Sequence, residues 1–199
     1  MPKLIDPIKR KQLIAQATWK IMLEQGRESA SVRKIAKEAG LSLGAMRYYF
    51  STQEELMLYA EALVYERLTD AAASIFQEEL PPLEKIINVL LTFLPTDSEL
   101  ETEAKVRLIF KVHAHHKQAA YNEQQDGALQ AIKNIMSNLI LLNMLKKDLN
   151  VPYETDRLIY LLDGMVLDAM VRPDQTSRER QQEMVIYHLN SICKEDINL

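Results

Sequence analysis

The chain has 199 residues, of which 47% are apolar and 26% charged, and its net charge at neutral pH is −4. This length suits one large or two small domains, and no apolar run approaches the roughly 18 residues that a membrane span requires. A single cysteine excludes an intrachain disulfide and a cysteine-based metal site; together with a charged N-terminus that lacks an apolar signal segment, this predicts a cytoplasmic protein with no membrane partner.

Charge is unevenly distributed along the chain. Residues 1–50 carry ten Lys or Arg and four Asp or Glu, which gives +6, while the remaining residues are net −10. A basic segment on an acidic body favours a polyanion-binding module attached to a second unit. Because long stretches of helical periodicity separate the few glycines and prolines, the sequence predicts an all-α fold.

The first predicted helix begins at Asp6-Pro7, an N-cap followed by proline at the first helical position, and ends at Gly26. Lys9, Arg10 and Lys11 lie in its first turn, where cations oppose the helix dipole. Phosphate binding, by Lys11 in particular, explains them better than local stability does. A solvated charged face is the alternative.

The segment from Ser31 to Phe50 predicts two short helices joined by a tight turn. Ser31 and Ser42 are expected N-caps, and Gly40 follows the first of these helices where a left-handed conformation is needed. Met46 and Phe50 form the buried side of the second helix. Two short helices joined by a glycine-containing turn are typical of a helix-turn-helix.

The second of these helices leaves several side chains without a core to enter: Leu43, Ala45, Arg47, Tyr48 and Tyr49. In a DNA major groove, arginine can contact guanine and small apolar side chains can meet the thymine methyl group. Tyrosine hydroxyls can reach phosphate oxygens. For either tyrosine alone, packing against the next helix is an equally good interpretation.

Residues 8–60, with Ser31–Phe50 at their centre and Glu54-Glu55-Leu56 after it, resemble the DNA-binding domain of the TetR family of bacterial transcriptional regulators. Arg47-Tyr48-Tyr49-Phe50 and Gln53 are similar to the branch of choline-response repressors. The resemblance implies nine helices in two domains, with a DNA-binding domain at residues 1–50 and a ligand-binding and dimerisation domain at 51–199. It places Leu43, Ala45 and Arg47 at base edges and Ser31, Ser42, Tyr48 and Tyr49 at phosphates. Many relatives have lysine at the position of Gln53, which can still donate a hydrogen bond to phosphate but brings no charge.

The rest of the chain predicts six further helices. Thr52 and Glu55 form a capping box for a helix of about 40 Å that ends near Glu79 and can transmit a displacement. The fifth helix is expected over residues 83–94, and the sixth from the Ser98–Glu101 capping box to His116. The seventh is expected from Ala119 to Lys146, with Ile140 inward. Pro152 is expected to break the chain before the eighth helix, Glu154 to Val171, and Thr176 with Glu179 to cap the ninth.

Candidate effector contacts are inward positions of these helices: Leu63, Phe93, Phe110, His113, Met136 and Met165. His113, His115 and His116 also invite a metal interpretation, but only His113 and His116 share a helix face, so a structural or pocket-lining role is favoured. Asp163 stands among apolar residues and needs a partner. A paired structural carboxylate is the favoured reading, and a ligand contact is the alternative.

The eighth predicted helix is apolar on two sides, which favours burial against a second subunit. The resemblance likewise implies a homodimer built by helices eight and nine. The assigned interface positions are Leu158, Leu162, Met165, Val185, Leu189 and Ile192.

The sequence shows no catalytic motif, Gly-rich phosphate loop or metal signature, so it predicts no cofactor and no enzyme. The predicted function is a dimeric transcriptional regulator, most often a repressor in this family, whose partners are a double-stranded DNA operator and a small-molecule effector. The alternative is a helical small-molecule carrier, or an enzyme without recognisable motifs, that does not bind DNA.

Overall fold

A computed structural model describes residues 6–96, 100–116, 127–195 and 197. Over these residues the protein is all-α as predicted, with nine α-helices and one isolated antiparallel bridge between Leu145 and Cys193. The helices are α1 (Pro7–Gln25), α2 (Val32–Glu38), α3 (Leu43–Tyr49), α4 (Gln53–Gln77), α5 (Pro82–Leu91), α6 (Glu101–His116), α7 (Gly127–Leu141), α8 (Val151–Val171) and α9 (Arg178–Ile192).

The first three helices start at the predicted caps. The side chains of Asp6, Ser31 and Ser42 accept hydrogen bonds from backbone N–H groups of the first turns of α1, α2 and α3. Gly40 has a φ of 65°, and the N–H of the following Leu41 donates to the carbonyl of Ala36 at 2.8 Å. This is a Schellman ending, and it turns the chain sharply enough to start α3 two residues later.

Several predicted boundaries in the body are wrong. Pro152 does not break the chain: it lies in the first turn of α8, where its missing N–H is harmless, and Asn150 caps the helix. The cap of α9 is Ser177 rather than Thr176, because Ser177 accepts from the Arg180 N–H at 3.1 Å. The helix α7 ends at Leu141, and Ile140 is half exposed rather than inward.

Other predicted features match or lie outside the described residues. Thr52 accepts from the N–H of Glu55 as the capping box requires, and the Glu55 carboxylate accepts its two main hydrogen bonds from Ser51. These Ser51 bonds lower the pKa of Glu55. The expected Ser98 cap and the predicted helical residues 119–126 lie outside the described residues.

The helices share one contiguous hydrophobic core. In it, α1 packs against α2, α4 and α6, and α6 also packs against α4 and α8. Trp19 of α1 is buried at this junction and donates from its indole nitrogen to the carbonyl of Ala60 in α4 at 3.0 Å. The helix-turn-helix, which with α1 we call the head, is therefore fixed to both α4 and α6.

Two glycines of the head give a matched test of the turn. Gly40→Ala should destabilise the protein by about 1 kcal/mol, because alanine disfavours the left-handed region. Gly44→Ala should be neutral or stabilising by up to about 1 kcal/mol, since Gly44 is helical and its nearest neighbour to an added Cβ is Ser42 Oγ at 3.9 Å. Urea unfolding of both variants measures the difference, and equal changes would contradict the assigned turn.

Candidate nucleic-acid interface and its links to the helical body

Helix α3, the second helix of the helix-turn-helix, is packed against the core on one side and exposed to solvent on the other. Met46 is fully buried and Phe50, just after the helix, is 3% exposed. Leu43, Arg47 and Tyr48 are exposed and Ala45 is half-buried. The structure thus brings together on one short helix the side chains that the sequence assigned to base edges, and it leaves them accessible.

The adjacent tyrosines differ in their surroundings. Their rings pack edge to face with centroids 5.1 Å apart, but Tyr48 is 81% exposed while Tyr49 is half-buried against the core. The packing interpretation therefore fits Tyr49 in part and does not fit Tyr48. Because the ring of Tyr49 packs against that of Tyr48, the exposed Tyr48 hydroxyl group is held where a partner molecule can reach it.

Lys11 and Gln53 already have partners within the head. The Lys11 ammonium lies 5.2 Å from the ring centroid of Phe50 and 5.7 Å from that of Tyr59, which is cation–π distance. Gln53 Nε2 donates to the carbonyl of Ala30 at 3.0 Å. Both side chains help to fix α1 and the start of α4 around α3, a role that the sequence did not predict.

A stack of three side chains joins the head to the body. The Arg67 guanidinium of α4 lies 5.1 Å from the ring centroid of Trp19, and its Nη1 is 2.5 Å from Oε1 of Glu103 in α6. Glu103 is 1% exposed, whereas the Arg67 side chain keeps 32% of its surface exposed, so the ion pair is buried on the Glu103 side only. It couples α4 to α6, and the stacking on Trp19 extends the link to α1.

A second link lies between the head and the C-terminal half of α6. Arg27 Nη1 is 2.5 Å from His113 Nε2, and burial lowers the pKa of Arg27. His113 lines a groove of about 250 Å³ with Arg27 and five apolar residues: Leu108, Ile109, Val112, Leu167 and Met170. The prediction that His113 faces a cavity is compatible with this geometry, and the cavity lies at the joint between head and body.

Asp163 of α8 is a paired carboxylate, as the sequence favoured. Its Oδ1 is 3.0 Å from Nη1 of Arg107 and its Oδ2 is 2.6 Å from Nζ of Lys111, both in α6. Sequence reasoning missed these two partners, because charged residues on an amphipathic helix are usually assigned to the solvent side. Their spacing of four residues on the helix that carries Phe110 is the signal that could have found them.

The predicted effector contacts are distributed over the body. Leu63, Phe110 and Met136 are buried in the core. Phe93 lines a closed cavity beside Arg107, His113 lines the groove at the head, and Met165 lines an open groove of about 460 Å³ between α8 and α9. Phe93, His113 and Met165 thus line three different cavities in the described part of the protein and do not converge on one site.

The predicted dimer contacts are wrong for five of the six positions. Leu158, Leu162, Val185, Leu189 and Ile192 are at most 1% exposed. They hold α8 and α9 within the protomer and cannot reach another subunit. Only Met165 remains partly accessible, because the sequence pattern identified an apolar helix side but not which of its two apolar sides faces outward.

The outward face of α8 carries a different set of residues, which we call the α8 seam: Tyr153, Tyr160, Gly164, Leu167 and Val171, all exposed. Their spacing of seven, four, three and four residues is that of a coiled-coil stripe. Apart from the neighbouring backbone of α8 itself, no described atom lies within 4 Å of where a Gly164 Cβ would stand. Tyr187 of α9 is also exposed.

A short basic helix-turn-helix with an accessible second helix, fixed to a larger helical body that contains cavities, defines a DNA-binding regulator with a sensing domain. The chain belongs to the TetR family of bacterial regulatory proteins. The family's N-terminal sequence model matches residues 14–60, and the model of the BetI-type transcriptional repressor C-terminal domain matches residues 82–194. The resemblance stated from the sequence is thus confirmed.

Individual relatives agree with this assignment. The chain is 42% identical over 196 residues to the HTH-type transcriptional regulator PksA of Bacillus subtilis, covering 98% of this chain and 96% of that protein. It is 25% identical to the regulator BetI of Vibrio campbellii over 96% of this chain and 95% of that one. The protein is therefore a transcriptional regulator.

Solved structures share the fold. A transcriptional regulator from Rhodococcus sp. superposes with a TM-score of 0.78 at 23% identity, covering 95% of this chain and 99% of that chain. A regulator from Saccharomonospora viridis in complex with choline gives 0.74 at 16% identity, covering 94% and 100%. A bilayer-crossing helix is found nowhere in the described part of the chain.

The packing of α9 on α8 includes a buried histidine with a marked pKa shift. His188 is 4% exposed, and Arg157 Nε donates to its Nδ1 at 3.2 Å. Burial first, and then the charge of Arg157, lower its pKa from 6.5 to about 4. Only the neutral ring can accept the bond from Arg157.

This shift makes stability depend on pH. The unfolded state binds the His188 proton below pH 6.5, whereas the folded state does so only near pH 4. Stability should therefore fall as the pH drops through this window, by about 3 kcal/mol in total from this group. Urea unfolding at a series of pH values, compared with His188→Gln, isolates the contribution. Parallel pH profiles for the two proteins would contradict it.

Proposed function

We propose that this regulator is a homodimeric repressor that reads an operator with α3 and releases it when a small-molecule effector enters the body. The observation that carries this proposal is the open face of α3 on a basic head whose rear is fixed by the Trp19 indole bond. A rigid, accessible helix with Arg47 and Tyr48 outward is what major-groove reading requires.

The roles follow from exposure and chemistry. Leu43, Ala45 and Arg47 contact base edges. Four hydroxyl groups and one cation around α3 contact phosphates. They belong to the exposed residues Ser31, Ser42 and Tyr48 and to the half-buried residues Tyr49 and Lys11. Gln53 contributes a weaker phosphate contact, since its amide nitrogen also holds the carbonyl of Ala30. We place the DNA-binding domain at residues 1–50 and the sensing and dimerisation domain at 51–199, with α4 packed on both.

The α8 seam supports a homodimer. Tyr160 and Tyr153 are each 71% exposed and Val171 is 70% exposed, and such a stripe of large apolar side chains is unfavourable in water without a partner. Gly164 in its centre allows a second helix to approach closely. Two-fold pairing through this seam supplies the second α3 that an operator with half-sites about 34–36 Å apart demands.

An effector is supported by the cavities and by the links between body and head. A ligand that binds one arrangement of α6 better than another changes operator affinity by its differential binding energy, typically about 1–3 kcal/mol. A helical carrier would also have cavities. Its function would not require a basic head with an exposed arginine and an exposed tyrosine on an anchored helix, and this feature favours the regulator.

Two substitutions separate base reading from phosphate attraction. Arg47→Ala should weaken operator binding by about 1–3 kcal/mol and relax base preference at one position. Lys11→Ala should weaken operator and random DNA alike and reduce the salt dependence of binding. Gel shifts with the upstream region of the gene and with random DNA, over a salt series, measure both effects. Equal weakening of the two DNAs by Arg47→Ala would overturn the base contact, and no retardation at low salt would favour the carrier.

The dimer proposal is tested at the centre of the α8 seam. Tyr160→Glu should convert a dimer to a monomer, because it buries a charge without a partner at the interface. Leu141→Glu, at a slightly more exposed position of α7, is the matched control and should stay dimeric. Sedimentation velocity reports the mass of each. A dimeric Tyr160→Glu variant, or a wild type that is monomeric at micromolar concentration, contradicts the seam.

A further inference from the structure

A closed cavity lies between α6, α7, α8 and the residues that follow α5. The gaps between atoms in this region total about 210 Å³, but none of them has room for a water molecule. Apolar side chains form most of its wall: Phe93, Ala128, Leu129, Ile132, Ile159 and Leu162. Ligand pockets are mostly apolar with a few placed polar groups, so this cavity has the composition of a ligand site in an unexpanded form.

The polar side of the cavity is a cluster of opposite charges. Arg107, Lys111 and Asp163 line it together, with the two cations on separate oxygens of the carboxylate. Arg107 is 3% exposed, and its buried Nε has no hydrogen-bond partner among the described residues. A buried unsatisfied donor is unfavourable, and here it belongs to a residue that lines a cavity which, once expanded by a ligand, could hold its acceptor.

The strongest acceptor for this donor is an anion. A guanidinium keeps its charge at all relevant pH values and binds carboxylates through pairs of N–H groups. Charge-assisted hydrogen bonds are roughly twice as strong as neutral ones, and apolar walls strengthen them further. Asp163 occupies Nη1 of Arg107, which leaves the Nε edge for a second carboxylate.

We infer that the effector is an amphipathic monocarboxylate whose carboxylate binds the Nε edge of Arg107 and whose apolar chain expands the closed cavity. The acidic composition of the body does not oppose this assignment. Surface charges are screened within about 10 Å at moderate salt, whereas Arg107 and Lys111 stand at the cavity wall. The inference rests on the proposed function only in its claim that carboxylate binding changes operator affinity; carboxylate binding itself can be measured without DNA.

The cavity is coupled to the head through α6. On the same helix, Glu103 pairs with Arg67 beneath Trp19, and His113 contacts Arg27. Since the cavity has no room for a water molecule, a bound chain must displace α6, α7 or α8. A displacement of α6 changes both links to the head at once, and this alters the position of α3.

The first experiment compares ligands of equal chain length and different charge on the full-length protein. Octanoate, methyl octanoate and octyltrimethylammonium are titrated below micelle-forming concentrations, with the fluorescence of the sole tryptophan, Trp19, and titration calorimetry as readouts. Octanoate should bind about ten- to hundredfold more tightly than the other two. Equal affinities, or preference for the cation, would overturn the carboxylate assignment.

Three variants locate the site. Arg107→Gln should weaken octanoate binding about ten- to hundredfold, and Asp163→Asn should tighten it several-fold, because it removes a competing like charge. Lys105→Gln, which loses a cation of α6 that pairs with Glu101 outside the cavity, should leave the affinity unchanged. If circular dichroism shows that Arg107→Gln does not fold, the octanoate affinity of Asp163→Asn decides whether the site is correct. A folded Arg107→Gln variant with wild-type affinity, or no tightening by Asp163→Asn, overturns the site.

A gel shift of the wild type separates this inference from the proposed function. Operator retardation that octanoate reverses, and methyl octanoate does not, supports both. Retardation that persists in saturating octanoate contradicts the effector role of the site. Absence of retardation without any ligand would defeat the proposed function, while the binding data would still decide whether the cavity takes a carboxylate.

Discussion

The alignment of α6 against α4 and α8 depends on the buried charges of α6. Glu103 and Arg107 are each at most 3% exposed, and each is paired with a residue from a different helix, Arg67 of α4 and Asp163 of α8. Removing one partner of such a pair leaves an uncompensated charge at a cost of about 3–5 kcal/mol, although an apolar pair of the same volume can be equally stable. We hypothesise that the pairs are kept for register, because each ion pair can form in only one alignment of α6 against its neighbours, whereas apolar contacts tolerate sliding.

The helix boundaries and the turn of the head are set by hydrogen bonds between residues that are close in sequence. Side-chain caps start α1, α2 and α3, and the Schellman ending at Gly40 sets the angle between α2 and α3. A short helix such as α3 is not stable alone, so its buried residues Met46 and Phe50 bind it to the core. The exposed side chains of α3 are then free to be chosen for DNA contact, because the caps and the two anchors already fix the helix.

This division explains which features were predictable from the sequence. Caps, the glycine turn and the apolar period are local signals, and the head followed from them. Pro152 was misread because proline both ends helices and starts them, and only Asn150 before it distinguishes the two cases. The dimer positions failed for another reason: Leu158 and Leu162 share the period of a helix with two apolar sides, and periodicity does not say which side meets the protomer's own core. The ion pairs of α6 join residues far apart in sequence, so only Asp163's need for a partner was foreseeable.

In the proposed effector response, the path from cavity to operator would run through α6 as well as through the long helix α4. The long helix α4 was expected to act as the transmitting rod, and it does pack against α1. But α6 is the helix that borders the closed cavity and also contacts α1, α4 and Arg27 of the head. A ligand that moves α6 acts on α1 and α4 together, and Trp19, bonded to Ala60 and stacked on Arg67, makes them respond as one unit. In the proposed dimer the head would then move as a rigid body, and the distance between the two α3 helices would change while the caps that hold each helix stay intact.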